Sequence, residues 1–173
     1  MIMPRGSDQL LLPANPFFVA FTLMLAFGAS LLPLGRMPAA PDLLALTLMF
    51  WNVHQPRKVG VGVGFVLGLM LDVHQGALFG QHALAYTLLS FVAVTIHRRL
   101  LWFGWAEQAL QILPVFFAVH LVSVATRLLA GGMFPGWTLL LAPVFEALLW
   151  PVVTLLLLAP QRRAPDPDQN RPL

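Results

Sequence analysis

Residues 41–99 read PDLLALTLMFWNVHQPRKVGVGVGFVLGLMLDVHQGALFGQHALAYTLLSFVAVTIHRR and carry the most informative pattern of the chain. It contains three apolar segments, which are separated by a basic turn at Arg57 and Lys58 and by an uncharged turn between Gly76 and Gly80. Apolar segments of helical length joined by short turns are typical of helices packed together in a membrane. The stretch therefore predicts the centre of a membrane helix bundle.

The composition of the whole chain excludes an ordinary water-soluble domain. Of its 173 residues, 58% are hydrophobic and only 10% are charged, whereas soluble domains carry about 25% charged residues. The absence of cysteine excludes disulfides, thiolate metal sites and cysteine nucleophiles. The basic residues that give the net charge of +3 are scattered in ones and twos, unlike the basic stripe of a nucleic-acid-binding protein. We therefore expect contact with the lipid bilayer and not with nucleic acid.

The hydrophobic pattern predicts an all-α fold, a polytopic membrane bundle of six transmembrane helices over residues 16–34, 41–53, 59–73, 82–96, 108–126 and 137–159. This transmembrane domain, residues 16–159, follows a cytoplasmic N-terminus, residues 1–15. It precedes a proline-rich, charged tail, residues 160–173, which we expect to be disordered in the cytoplasm. The second, third and fourth segments have only about 15 apolar residues, fewer than the roughly 20 that a crossing needs. We expect full crossings shielded by neighbouring helices or in a thinned bilayer, although a re-entrant pair is the alternative.

The basic residues predict the orientation of the bundle. If both termini are cytoplasmic, the inner segments hold eight basic residues and the outer segments two: Arg5, Arg57, Lys58, Arg98, Arg99, Arg162, Arg163 and Arg171 inside, and Arg36 and Arg127 outside. An excess of Lys and Arg on the cytoplasmic side is the general rule for membrane proteins. The opposite orientation would reverse this bias, so we expect both termini inside.

Two acidic residues, one in the second predicted helix and one in the sixth, are candidates for a structural or functional role. Asp42 follows Pro41 at the start of the second helix, where a carboxylate interacts favourably with the positive end of the helix dipole. Glu146 lies inside the sixth segment, and an ionisable group at such a depth normally faces the bundle interior. Glu146 is either a proton or substrate site or a structural hydrogen-bonding residue; we favour the structural role and name Arg127 and Gln111 as candidate partners.

A third acidic residue, Asp72, lies near the end of the third helix together with His74 and His82. A carboxylate and two imidazoles could bind a metal, but their spacing matches no closed metal motif. We therefore expect these groups to satisfy helix ends and turn backbone. The chain contains neither a G-x-S-x-G nor an H-E-x-x-H motif, and we predict no catalytic residue, no cofactor and no metal.

Three glycines of the third segment, Gly60, Gly64 and Gly68, are spaced four residues apart. Residues at this spacing stack on one helix face, and small residues there allow another helix to approach closely. The neighbouring helix either belongs to the same bundle, which we favour, or to a partner protein. The run is not a nucleotide-binding loop, because it lacks the G-x-G-x-x-G spacing.

The same stretch resembles the MreD family of rod shape-determining proteins from rod-shaped Gram-negative bacteria. The resemblance rests on a set of short motifs: Pro41-Asp42, Phe50-Trp51, Pro56-Arg57, then Gly64, Phe65, Gly68 and Asp72, the Gly76 and Gly80 turn, and the late run Leu148-Leu149-Trp150-Pro151. Glu146 lies outside these motifs, so the resemblance assigns it no role.

The resemblance implies a non-enzymatic scaffold of the bacterial inner membrane that regulates lateral peptidoglycan synthesis and maintains rod shape. Its implied partners are an MreC-like single-span protein, a RodA-like glycosyltransferase, a class B penicillin-binding transpeptidase and an MreB-like cytoskeleton. The fold that it implies looks like the S components of energy-coupling-factor transporters. That architecture, with Asp72, His74, Gln81 and His82 at one end, supports an alternative function, a small-molecule-binding subunit of a vitamin-type transporter.

Overall fold

The computed structural model describes residues 14–32, 40–76 and 80–161, and within these ranges the chain contains six α-helices and no strand. The helices are α1 (Pro16–Leu31), α2 (Leu43–His54), α3 (Val61–Gln75), α4 (Gln81–Leu100), α5 (Trp105–Leu129) and α6 (Ala142–Leu158). Short 3-10 helices precede and follow α6, at Trp137–Leu141 and Ala159–Gln161. The prediction of an all-α chain is confirmed for the described residues. Most of the predicted terminal segments 1–15 and 160–173 lies outside them.

The helix ends follow from local capping chemistry. Asn15 and Asp42 accept backbone N–H groups of the first turns of α1 and α2, which satisfies donors that have no partner inside a helix. The second helix therefore begins at Leu43, and Pro41 precedes it, whereas we predicted proline inside the first turn. Gly76 ends α3 with φ of 59°, a left-handed conformation that glycine adopts without strain.

The fourth helix is longer than predicted. It spans 20 residues, Gln81–Leu100, because His97, Arg98 and Arg99 remain helical in its last turn. Cations at a helix C-terminus interact favourably with the dipole, and long basic side chains keep their charges near water. These residues therefore extend the helix, whereas the hydropathy pattern suggested that the apolar segment stops at Ile96.

The centre of the bundle is α2. Ten of its 12 residues, from Leu44 to Val53, are buried, and it packs against α1, α4 and α6. A helix that is apolar on every side is stable only where other helices surround it. Helix α3 packs mainly on α4, and α5 packs on α4 and α6, so α2 and α4 hold the remaining helices together.

Successive helices run in opposite directions, which gives the bundle two distinct ends. We call the end that carries the turn of residues 55–60 the basic end. There the Lys58 Nζ donates a hydrogen bond of 2.6 Å to the Ala14 carbonyl at the start of α1. The opposite end carries Asp42, the C-terminus of α3, the N-terminus of α4 and the segment of residues 130–136 that links α5 to the last helical region.

Two helical regions of the described chain are long and apolar enough to cross a membrane, Trp105–Leu129 and Trp137–Gln161, with 25 residues each. At 1.5 Å per residue each extends about 37 Å, more than the roughly 30 Å of hydrocarbon. Helices α1, α2 and α3 are apolar but shorter, with 16, 12 and 15 residues. Six complete crossings and the likeness to transporter S components stay predictions.

Candidate functional site

A cluster of four polar side chains, Asp42, Tyr86, His120 and Glu146, joins four helices near the end opposite the basic end. The Asp42 backbone N–H donates to Glu146 Oε1 at 2.9 Å, and His120 Nε2 lies 2.9 Å from the same oxygen. The Tyr86 hydroxyl donates to Asp42 Oδ2. Since Tyr86, His120 and Glu146 lie in α4, α5 and α6 and Asp42 caps the start of α2, the cluster connects most of the bundle through hydrogen bonds.

Glu146 is the most deeply buried member, with no exposed surface. Its Oε1 accepts the Asp42 N–H and lies within hydrogen-bond distance of His120 Nε2, while its Oε2 has no hydrogen-bond partner among the described residues. The predicted partners Arg127 and Gln111 are wrong. Among the described residues, the Asp42 N–H and His120 Nε2 contact Glu146 Oε1 instead, and Arg127 forms no ion pair.

The sequence contained a signal for the His120 partner that we did not use. His120 lies nine residues before the end of α5, and Glu146 lies nine residues after Trp137, where the next helical region begins. Two antiparallel helical segments joined by a turn place such positions at similar depth. Equal spacing from the turn is therefore sufficient to suggest that a histidine and a carboxylate meet.

Asp42 also forms the N-cap of α2. Its Oδ1 accepts the backbone N–H groups of Leu44 and Ala45, each at 3.0 Å. One side chain thus caps a helix and accepts the Tyr86 hydroxyl, while its own N–H donates to Glu146. The start of the central helix is consequently held by two carboxylates from distant parts of the sequence.

Asp72 performs a similar task at the start of α4. It is 1% exposed, and its two oxygens accept the backbone N–H groups of Gly80, His82 and Ala83 at 2.8–3.2 Å. His82 Nδ1 lies 2.8 Å from Asp72 Oδ1. The N-terminus of α4 has no capping side chain of its own, so a residue of α3 supplies the acceptor that this end requires.

His74 does not join this group, because its side chain is exposed while Asp72 and His82 are bonded to each other. Within residues 14–32, 40–76 and 80–161, no set of three or more His, Asp or Glu side chains could hold a metal ion.

The four polar residues that supported the alternative transport function do not form one site. Gln81 and His82 line a cavity, whereas Asp72 accepts backbone N–H groups at the start of α4.

The three predicted glycines occupy different environments. A Cβ on Gly68 would lie 2.6 Å from Ala83 Cα and from the His82 carbonyl oxygen, and one on Gly64 would overlap Ser90 Oγ and lie 2.8 Å from the Tyr86 carbonyl. Gly60 precedes α3, and a Cβ there would meet only the Pro56 carbonyl at 3.7 Å. Gly64 and Gly68 therefore face α4 of the same chain, and Gly60 does not share this contact.

Buried polar contacts also connect the helices nearer the middle of the bundle. The Trp51 indole N–H donates to Thr22 Oγ1 at 2.9 Å, and the Trp150 indole donates to Gln108 Oε1 at 3.0 Å. Both tryptophans are fully buried. Each indole satisfies its N–H inside the protein, so neither is an anchor at the membrane surface.

Comparison with known proteins agrees with the resemblance seen in the sequence. The family model described as rod shape-determining protein MreD matches residues 10–159. A relative from Haemophilus influenzae, also described as rod shape-determining protein MreD, is 32% identical over 145 residues, which cover 82% of this chain and 85% of the relative. No solved structure matches the chain significantly.

Proposed function

Because the chain belongs to the MreD family of rod shape-determining proteins, which gives it a role in cell shape, we propose that it is a membrane scaffold of the cell-elongation machinery. It docks an MreC-like single-span protein, a RodA-like glycosyltransferase and a class B penicillin-binding transpeptidase, and acts with an MreB-like cytoskeleton. In this role it regulates lateral peptidoglycan synthesis without catalysing a reaction.

One observation supports this proposal: the conspicuous acidic groups serve the architecture of the bundle. Asp42 and Asp72 accept backbone N–H groups at the starts of α2 and α4, and Glu146 connects α2, α5 and α6. Large apolar side chains meanwhile remain exposed along α1 and α3, among them Phe17, Phe21, Leu25, Phe65, Val66 and Met70. A rigid bundle with apolar outer faces suits contact with lipid and with the helices of partner proteins.

Partner docking is tested by photo-crosslinking in rod-shaped cells. A photoreactive residue is placed in turn at exposed positions Phe21 and Leu25 of α1 and Phe65 and Met70 of α3, with buried Leu48 as the control. We expect crosslinks to the single-span or synthase partner from one helix face and none from Leu48. If no exposed position crosslinks and the partners do not co-purify, the protein is not their scaffold.

Depletion of the protein distinguishes the scaffold from the transport subunit. Rod-shaped cells that become spheres while retaining normal nutrition agree with a scaffold. Cells that keep their shape but require an added vitamin would instead indicate transport.

We also propose six crossings of the inner membrane with both termini in the cytoplasm. Because the chain has no cysteine, an introduced cysteine is the only one in it, and labelling of the purified chain reports on that position alone. Met133 and Trp102, at opposite ends of α5 and 84% and 89% exposed, form a matched pair. An impermeant maleimide added to intact cells should label Met133→Cys and leave Trp102→Cys unlabelled, and the reverse pattern would refute the orientation.

A further inference from the structure

A cavity of about 420 Å³ opens at the end of the bundle opposite the basic end. Polar side chains from α3, α4 and α5 line it, including Gln75, Gln81, His82, Ser123 and Arg127, and Leu139 and Pro135 close one side. Its volume lies within the range of about 300–1,000 Å³ that is typical of small-molecule sites. Nothing in the proposed scaffold role uses this space.

The free polar groups in the cavity are mostly hydrogen-bond donors. The Arg127 guanidinium forms no ion pair with a described residue, and the side chains of Gln75, Gln81 and Ser123 have no hydrogen-bond partner in the described part of the chain. An arginine presents five N–H donors in a planar fork, while each amide and hydroxyl adds further donors. This combination suits a ligand rich in acceptor oxygens.

Asp42 is the carboxylate in the cavity lining, and its electrostatic repulsion of such a ligand is weakened by its own hydrogen bonds. Asp42 Oδ1 already accepts two backbone N–H groups at the start of α2, and Oδ2 accepts the Tyr86 hydroxyl. Its charge is therefore compensated by the positive end of the helix dipole and by these donors. Arg127 is the cationic group of the lining that has no such compensation.

The backbone beside Arg127 leaves room for its side chain. A Cβ on Gly132 would lie 2.8 Å from Arg127 Cγ and 2.9 Å from the Arg127 carbonyl oxygen, and the Gly132 N–H donates to that carbonyl at 2.9 Å. Glycine at this position thus allows the chain to turn back across the arginine stem. The turn after α5 therefore passes close to the stem of Arg127, whose side chain is part of the cavity lining.

We propose that this cavity binds the phosphate group of a small molecule or of a lipid headgroup. A phosphate offers more acceptor oxygens than a carboxylate, and arginine binds it through two parallel hydrogen bonds. Gln75, Gln81 and Ser123 supply donors for the remaining oxygens. The apolar wall and the volume beyond a single phosphate leave space for the organic part of the ligand.

The proposal is tested with inorganic phosphate as the probe. The full chain is purified in a phosphate-free maltoside detergent, and its thermal unfolding is followed by tryptophan fluorescence while phosphate replaces chloride at constant ionic strength. We expect a saturable rise in Tm for the wild type and a loss of affinity of about tenfold or more for Arg127→Gln, since a hydrogen bond to a charged group is removed. Arg99→Gln, at the basic end, is the matched control and should bind like the wild type.

A second arm identifies the source of the phosphate. In phosphatidylcholine nanodiscs, a response to added phosphate equal to that in detergent indicates a soluble ligand, while a response abolished by the lipid indicates a headgroup. Ser123→Ala should weaken binding about threefold, because it removes one neutral hydrogen bond. This smaller change keeps the test valid if Arg127→Gln fails to fold. No saturable response in the wild type, or equal affinity in wild type, Arg127→Gln and Ser123→Ala, would overturn the proposal.

Discussion

Replacing Gly68 by alanine should destabilise the bundle, although alanine is the better helix former. The added Cβ would lie 2.6 Å from the backbone of Ala83 and His82, and ordinary contact begins at 3.4 Å. Helices α3 and α4 would have to separate locally by about 0.8 Å, the difference between these distances. Overpacking of this kind costs about 1–3 kcal/mol, because backbone atoms, unlike the end of a flexible side chain, cannot rotate away.

The same substitution at Gly62 is the matched control. Gly62 also lies in α3, but nothing is within 4 Å of a Cβ placed on it. Alanine is favoured over glycine inside a helix by up to about 1 kcal/mol, so Gly62→Ala should leave the stability unchanged or raise it slightly. The two variants therefore have the same chemical change and opposite expected signs.

Equilibrium unfolding in detergent micelles, followed by the emission of the buried tryptophans Trp51 and Trp150, measures both variants. We expect the free energy of unfolding to decrease for Gly68→Ala and not for Gly62→Ala. Gly68→Ala with the stability of the wild type or above would refute the close α3–α4 contact. Equal losses for both variants would show that glycine itself, and not the contact, matters in this helix.

Substitutions that remove three of the buried hydrogen-bonding groups, at Asp72, Thr22 and Glu146, are tested by the same unfolding measurement. Asp72→Ala should cost about 1–3 kcal/mol, because it leaves the first N–H groups of α4 without acceptors, and Asp72→Asn should cost less. Thr22→Val should lower the free energy of unfolding by about 1–3 kcal/mol, because it leaves the Trp51 indole N–H unpaired. In a background where Trp51 is replaced by phenylalanine, the same substitution should cost less. If the losses of the two single substitutions simply add, this contact is contradicted. Glu146→Leu should cost about 1–3 kcal/mol by removing the acceptor for the Asp42 N–H and for His120. Glu146→Gln keeps an acceptor and should cost under about 1 kcal/mol, so equal losses for the two variants would contradict the assigned hydrogen bonds.

Much of the fold could be predicted from the sequence, because apolar segments and turn residues are local signals. The starts of α1 and α3 agree with prediction within two residues, at Pro16 and Val61. The ends are less predictable where basic residues extend a helix beyond its apolar segment, as His97, Arg98 and Arg99 do in α4. Hydropathy records only where the apolar run stops, and a helix continues while its charged side chains can reach water.

The contacts of the site were harder to predict, because they join residues far apart in the chain. Asp42 and Glu146 are 104 positions apart, and no local pattern relates them. The depth of a residue along its helix is available from the sequence, and it would have paired His120 with Glu146. The direction in which a side chain faces depends on helix rotation, which the low amphipathicity of these helices does not define.

The position of α2 has a consequence for the order in which the protein is assembled. The most enclosed helix, α2, precedes its neighbours α4 and α6 in the chain, so these neighbours emerge from the ribosome later. Until then Asn52, whose amide finally donates to Ser90 of α4, and the Asp42 N–H lack their eventual partners. The sixth described helix therefore completes the environment of α2. A chain truncated before Ala142 should leave the central helix α2 without one of its packing partners, so the loss should not be confined to the surface of the bundle.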